Sequence, residues 1–293
     1  MDVVQFCLKE HIKPGDDLYY ALLYSRTKNP HQLVACALFQ SILHTAMTIE
    51  DGSVRVAKLG WWSNELQNAD SDHPLIQFMY QQNHKSWLTQ AMLPVTNRML
   101  KHPSLLALNN HSFVETEAGL ALMSAMGTRV DVKVLQNDFI EDNLSIENNC
   151  SIENNCSIDN HASTEKAFSN QRLQQYAKAV FRFWMLKSSF ALSANNALSI
   201  PPTAEMIYHT LQRLKNEIDG LSIKDSRSNL SPACYNYLHL IKQWLSLNQY
   251  DKPLENHFSH QSDKPSAQNT PLYEPGPLRK LIKVWLVHHF SFI

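Results

Sequence analysis

The stretch Asn29-Pro30-His31-Gln32-Leu33-Val34-Ala35-Cys36-Ala37-Leu38-Phe39-Gln40-Ser41-Ile42 carries the reading of the fold. Asn29 suits a helix N-cap, and Pro30 suits the first helical position, where no backbone donor is needed. Leu33, Ala37 and Ser41 then form one i, i+4 row, and Val34, Leu38 and Ile42 the adjoining one. Rows at that spacing predict an amphipathic helix. The same signal returns along the chain. Gly52-Ser53 starts a second helix with Val54, Leu59, Trp62 and Leu66 on one side, and Pro74 opens a third through Ile76, Met79 and Tyr80. Ser231-Pro232 repeats the cap-plus-proline pattern before Tyr235, Leu238, Ile241 and Leu245. Pro277 precedes a last helix with Leu278, Leu281, Ile282, Trp285 and Leu286. Only Arg129 to Leu135 alternates, through Val130, Val132 and Val134, and one short strand makes no sheet. The expected fold is all-α.

Composition narrows the function classes. With 293 residues, 44% of them hydrophobic, the chain can bury one large core, and residues 1–293 are read as a single domain. Only 7 residues are Gly, and neither G-x-G-x-x-G nor a P-loop pattern occurs, which excludes the usual nucleotide cradles. Net charge is −1, so binding to nucleic acid through counterion release is not expected. Fourteen His would make the chain distinctly cationic at mildly acid pH. The five cysteines (Cys7, Cys36, Cys150, Cys156 and Cys234) are odd in number and lack C-x-x-C or zinc-site spacing. That usage fits a reduced, cytoplasmic compartment. The opening Met1-Asp2-Val3-Val4-Gln5 reads as neither a secretory signal nor a transit peptide. No run reaches the roughly 20 apolar residues needed to span a bilayer.

Residues 145–160 read SIENNC, SIENNC, SIDN, a polar six-residue tandem repeat. Fewer than three copies cannot stack as a solenoid. The segment is therefore expected to be a low-complexity insertion at about 143–170. A second polar stretch at about 251–275 is expected to be a loop before the last helix.

Lys58-Leu59-Gly60-Trp61-Trp62-Ser63-Asn64-Glu65-Leu66, followed by His73-Pro74, resembles the squalene/phytoene synthase family, in which a helix with paired Trp follows the first catalytic helix. Asp17-Leu18-Tyr19-Tyr20-Ala21 resembles an early segment of that family, and Val114 to Leu122 its T-A-G helix. Gln175 to Leu186 with Ile200-Pro201-Pro202 resembles its second catalytic helix and following turn, and Ser231-Pro232-Ala233 to Tyr250-Asp251 a late helix. The likeness covers nearly the whole chain and rests on the order and spacing of short pieces. It implies an isoprenoid-synthase-like helical bundle around a central cavity.

The family reaction, head-to-head prenyl transfer, ionises a diphosphate held by Mg²⁺, a hard cation that takes carboxylate and phosphate oxygens. Two acidic motifs on facing helices supply those carboxylates. The first falls here on Ser41-Ile42-Leu43-His44-Thr45-Ala46-Met47-Thr48, which holds no acid. The second has two placements. One is Trp184 to Leu192, which also lacks an acid and contains Lys187. The other is Asn137 to Asp142, where Asp138 and Asp142 have i, i+4 spacing beside Glu141. The former is favoured, because the latter follows too soon after the Thr116–Gly119 helix and the repeat would separate it from its turn. The plain reading of Asp138, Glu141 and Asp142 is a solvated helix end.

Losing one acidic wall should cost several kcal/mol of transition-state stabilisation. The resemblance therefore implies a pseudoenzyme with no cofactor, acting through an unidentified protein partner or lipid contacts. The family has a branch of this kind, assembly-factor-like for a respiratory NADH dehydrogenase, that also lacks intact acidic motifs. The alternative is a working Mg²⁺-dependent prenyltransferase with Asp138, Glu141 and Asp142 on one metal helix. Cavity or ligand candidates are His44, Trp62 and Gly119, each of which ordinary core packing also explains. His288-His289 and His44 show no metal-site spacing, and no G-x-S-x-G elbow occurs. The last helix carries Arg279, Lys280 and Lys283 beside its apolar residues. That pattern predicts either a basic outer face on a packed helix or a contact with a membrane surface.

Overall fold

The computed structural model describes residues 2–23, 29–101, 113–130, 160–194, 204–221, 230–247, 276 and 279–282. Of residues 113–114, 160–170, 190–194 and 204–206 it gives the backbone alone. The described elements are helices: α1 (Val3–Glu10), α2 (Asp17–Leu22), α3 (Pro30–Thr48), α4 (Gly52–Gln67) and α5 (Pro74–Gln81). A π-helical turn (Trp87–Met92) then runs into α6 (Leu93–Lys101). After it come α7 (Phe113–Ala125), α8 (Asn160–Ala194), α9 (Ala204–Gly220) and α10 (Pro232–Leu247). A helical turn covers 279–282. No strand occurs among the described residues; Arg129 and Val130 are irregular, and 131–135 lie outside them.

Helix α3 lies at the centre. Every residue from Gln32 to Phe39 is buried, on all sides of the helix, as expected of an element enclosed by others. It packs against α1, α2, α4, α5 and α7. Proline stands at the first position of α3, α5 and α10, where its missing N–H costs nothing. The caps differ from the sequence reading in two places. Asn29 makes no side-chain cap bond, whereas Asp51 caps α4 by accepting from the Ser53 and Val54 amides. Ser231 does cap α10, accepting from the Cys234 N–H at 3.1 Å.

The most extensive helix contact joins α7 to α8. It depends on Gly119: a Cβ there would stand 2.0 Å from the Ala177 carbonyl oxygen. Arg182 of α8 adds a polar clasp, donating to Glu115 of α7 at 2.8 Å and to Glu217 of α9. Phe183 places its ring edge-on to Tyr237 and Trp244 of α10, at 5.7 and 5.5 Å. Cys7, Cys36 and Cys234 are free and fully buried, and burial pushes the Cys7 and Cys234 thiols up to about 12 and that of Cys36 upward as well. All three are held as inert thiols.

Three expectations are corrected. The insertion foreseen over 143–170 ends earlier, because α8 begins at Asn160. His161-Ala162-Ser163-Thr164-Glu165-Lys166-Ala167 contains no Gly or Pro and is rich in residues that a helix tolerates. Val54, foreseen on the buried side of α4, is 48% exposed, because the first two turns of that helix stand clear of the core. The last helix does not present Lys280 outward. Lys280 is buried, with Nζ 2.9 Å from Asp17 Oδ1 and donating to the Gly15 carbonyl at 2.9 Å, while Leu281 and Ile282 are exposed. Asp17 is itself buried, and a carboxylate removed from water draws in a cation; Lys187 of α8 supplies a second one at 3.4 Å. Lys283, Trp285 and the residues after them lie outside the described residues, as do 251–275.

Candidate functional site

Six residues of α3 beyond Phe39 escape full burial: Gln40, Ser41, His44, Thr45, Met47 and Thr48 are half-buried, while Ile42, Leu43 and Ala46 are buried. Ser41, His44, Thr45 and Thr48 stand at i, i+3, i+4 and i+7, one polar stripe on one helix face. It coincides with the stretch where the resemblance places the first acidic motif.

Side chains from three other elements meet this stripe, and one from a fourth packs behind Trp62. His11, at the C-cap of α1, brings Nδ1 to 3.1 Å from Ser41 Oγ. Ser41 has one proton, which it donates to the Ala37 carbonyl at 2.8 Å. His11 Nδ1 therefore carries the hydrogen and donates to Ser41. From α4, Trp62 Nε1 donates to Thr45 Oγ1 at 3.2 Å, and Thr45 passes its own proton to the Ser41 carbonyl. Thr48 donates in the same way to the His44 carbonyl. His73, the N-cap residue of α5, lies edge-on to Trp62 at 5.0 Å and to Trp61 at 6.1 Å. From α8, Trp184 faces His44 at 6.0 Å and packs on Phe39 and Phe181. Two polar atoms in this group are buried without a hydrogen-bond partner, His73 Nδ1 and Trp184 Nε1.

Burial is the main cause that lowers the pKa of His11, His44 and His73, and a nearby cationic group adds to it at each, Lys13 in the case of His11. His11 pushes down both His44 and His73; Glu10 opposes the shift at His11 and Glu65 opposes it at His73. The three imidazoles are therefore neutral at neutral pH.

This donor set decides what the stripe can do. Ser41 is no activated nucleophile, because His11 donates to it rather than accepting its proton. No group of three His, Cys, Asp or Glu side chains close enough to hold a metal ion occurs among the described residues. The Mg²⁺ that the resemblance implies does not fit here. The α3 stripe offers hydroxyls whose protons point elsewhere and a neutral imidazole, and the α8 residue facing it is Trp184. Neither set gives the anionic oxygens that Mg²⁺ requires. Lys187 instead pairs with Asp17 and lies 5.9 Å from the Trp244 ring.

Of the residues singled out in the sequence, Trp62 bonds to Thr45, and His44, the residue before Thr45, faces Trp184. Trp62 is buried and Trp61 is 41% exposed, the division that ordinary packing expects. Gly119 lies in the α7–α8 contact, against Ala177. Asp138, Glu141 and Asp142 lie outside the described residues. The sequence reading missed His11, and it passed over Ser41, Thr45, His73 and Trp184 as ligand candidates, although all four stood in stretches it had marked. A polar i, i+3, i+4, i+7 stripe on an otherwise apolar helix is the signal that would have found most of them.

Comparisons with protein-family models, with curated proteins and with solved structures find no match to this chain.

Proposed function

We propose that the chain is a degenerate relative of the squalene/phytoene synthases, a pseudoenzyme that keeps an isoprenoid-synthase-like helical shell and acts through protein or lipid contacts. One observation carries the reading. The α3 stretch in the position of the first acidic motif meets the α8 stretch in the favoured position of the second, through the pair His44 and Trp184. Facing catalytic helices are what the family reaction needs. Here the opposed side chains are imidazole, hydroxyl and indole, with no carboxylate to hold a diphosphate through Mg²⁺. The indole and imidazole rings make the stripe a surface for an apolar or uncharged group. A contact of the last helix with a membrane surface belongs to the same proposal; among the described residues no helix is long and apolar enough to cross a membrane.

Isothermal calorimetry with a non-hydrolysable farnesyl or geranylgeranyl diphosphate analogue, with and without Mg²⁺, tests this reading. The expected result is no Mg²⁺-dependent heat. Mg²⁺-dependent binding that disappears in Asp138→Ala would overturn it in favour of the prenyltransferase.

A further inference from the structure

Helix α1 has eight residues, too few to be stable in water without docking, since isolated helices shorter than roughly 12–15 residues are marginal. Its docking rests on two kinds of contact. Cys7 and the following Ile12 are fully buried, and Val3, Val4, Phe6 and Leu8 pack partly on the core. The second is polar: His11 donates to Ser41 across the α1–α3 contact, its ring held edge-on by Phe6 at 5.5 Å. α1 also touches α5, the helix that His73 caps. His11 is thus the imidazole through which the other two are coupled.

The charges around this group are few. On α1 and just past it stand Glu10, paired with Lys9 at 3.6 Å, and Lys13. α3 has no acidic residue between Pro30 and Thr48, and α5 has none between Pro74 and Gln81. From α4, Glu65 faces His73, and its carboxylate already accepts the Ser71 hydroxyl. The α8 side chain that faces the stripe is the uncharged Trp184, and Lys187 of that helix is held by Asp17. One proton on His11 can be offset by Glu10. A second and third, on His44 and His73, find among the described residues one opposing carboxylate, Glu65 beside His73, in surroundings that already disfavour charge. The cheapest relief is to move His11 into water, which requires α1 to leave.

We propose that α1 is a proton-released lid: uptake of protons by His11, His44 and His73 detaches it from α3 and uncovers the Ser41 end of the stripe. That the uncovered end is a ligand surface rests on the function proposed above. The release itself depends only on the imidazoles and on the shortness of α1. A detached α1 cannot stay helical alone, so release is visible as loss of amide protection over Val3–Ile12.

Hydrogen–deuterium exchange of the full chain at about pH 7.5 and about pH 5.5, corrected for the intrinsic rate, tests the lid. Amides of Val3–Ile12 should exchange at least about tenfold faster at the lower pH while those of Leu33–Leu43 stay protected. His11→Gln keeps an N–H donor for Ser41 and cannot take a proton, so it should abolish the acceleration. His73→Gln, which removes one of the three charges, should move release to lower pH. Unchanged protection of α1 in the wild type would overturn the proposal, as would equal acceleration in His11→Gln. Should His11→Gln fail to fold, an unshifted release in His73→Gln would be equally adverse. Calorimetry with the diphosphate analogue decides the pseudoenzyme reading and does not sense the lid; exchange decides the lid and does not sense that reading.

Discussion

A methyl group on Gly119 would stand 2.0 Å from the Ala177 carbonyl oxygen and 2.4 Å from its carbon, and backbone cannot step aside as a side chain can. Gly119→Ala must therefore push α7 off α8. Overpacking of this kind costs about 1–3 kcal/mol, and the upper end applies where the obstacle is backbone. Gly60 supplies the contrast, because a Cβ there meets nothing within 4 Å and the residue is inside α4. Gly60→Ala should stabilise by about 0.5–1 kcal/mol through helix propensity alone. Urea unfolding of the two variants should move the midpoint in opposite directions, and a Gly119→Ala midpoint equal to wild type would refute the close approach. At this scale the sequence was readable in part. Gly119 stood out, but whether it served a ligand or a neighbouring helix depends on Ala177, 58 positions on, and no local pattern links the two. His11 was invisible for the same reason. Its partner Ser41 lies 30 residues away, and a single His at a helix end has no period of its own.

Ser231 shows how one residue ties two elements. Its hydroxyl oxygen accepts from the Cys234 amide at the start of α10, and its proton goes to the Met126 carbonyl at 2.7 Å, just past α7. The Thr128 hydroxyl adds a bond at 3.2 Å. All three are buried, so water cannot replace what is lost. Ser231→Ala should cost about 2 kcal/mol, the top of the range for caps, since it strips a cap and also orphans a buried carbonyl. A thermal midpoint within error of wild type would contradict this. Elements were the most legible level. Ser231-Pro232, His73-Pro74 and Pro30 announced three helix starts correctly, because cap chemistry and the proline ring act within two or three residues. One failure was also local. The tandem repeat made everything as far as 170 look unstructured, although the helix-compatible residues from 160 onward carry no repeat. The last helix was misjudged because the pull of buried Asp17 on Lys280 crosses more than 260 residues of sequence, and hydrophobic periodicity alone cannot assign a lysine to the inside.

For the molecule as a whole, the sign of the pH dependence follows from groups whose affinity for protons changes on folding. His11, His31, His44 and His73 are all pushed below the usual histidine range, chiefly by burial. Below about pH 6.5 the unfolded chain takes up protons that these folded residues decline. Their contribution is therefore complete above that value and is lost as pH falls through it. Asp16 and Glu217 act in the opposite sense, because burial raises their carboxyl pKa values and the folded chain holds protons that the unfolded one releases. That gain opposes the histidine loss, so the net fall is smaller than the four imidazoles alone would give. The urea midpoint should fall between about pH 7.5 and about pH 5.5, and a flat or rising midpoint would contradict the burial of the imidazoles. His31 separates this global effect from the lid. It stacks on His84 with ring centroids 4.0 Å apart, joining the first turn of α3 to the turn after α5, and its electrostatic neighbour is His84 rather than His11. His31→Gln should therefore make the fall in the midpoint shallower while leaving the acid-induced exchange of α1 unchanged. If His31→Gln slowed that exchange as much as His11→Gln, the histidines would be acting through stability at large, and α1 would simply be the first segment to fray.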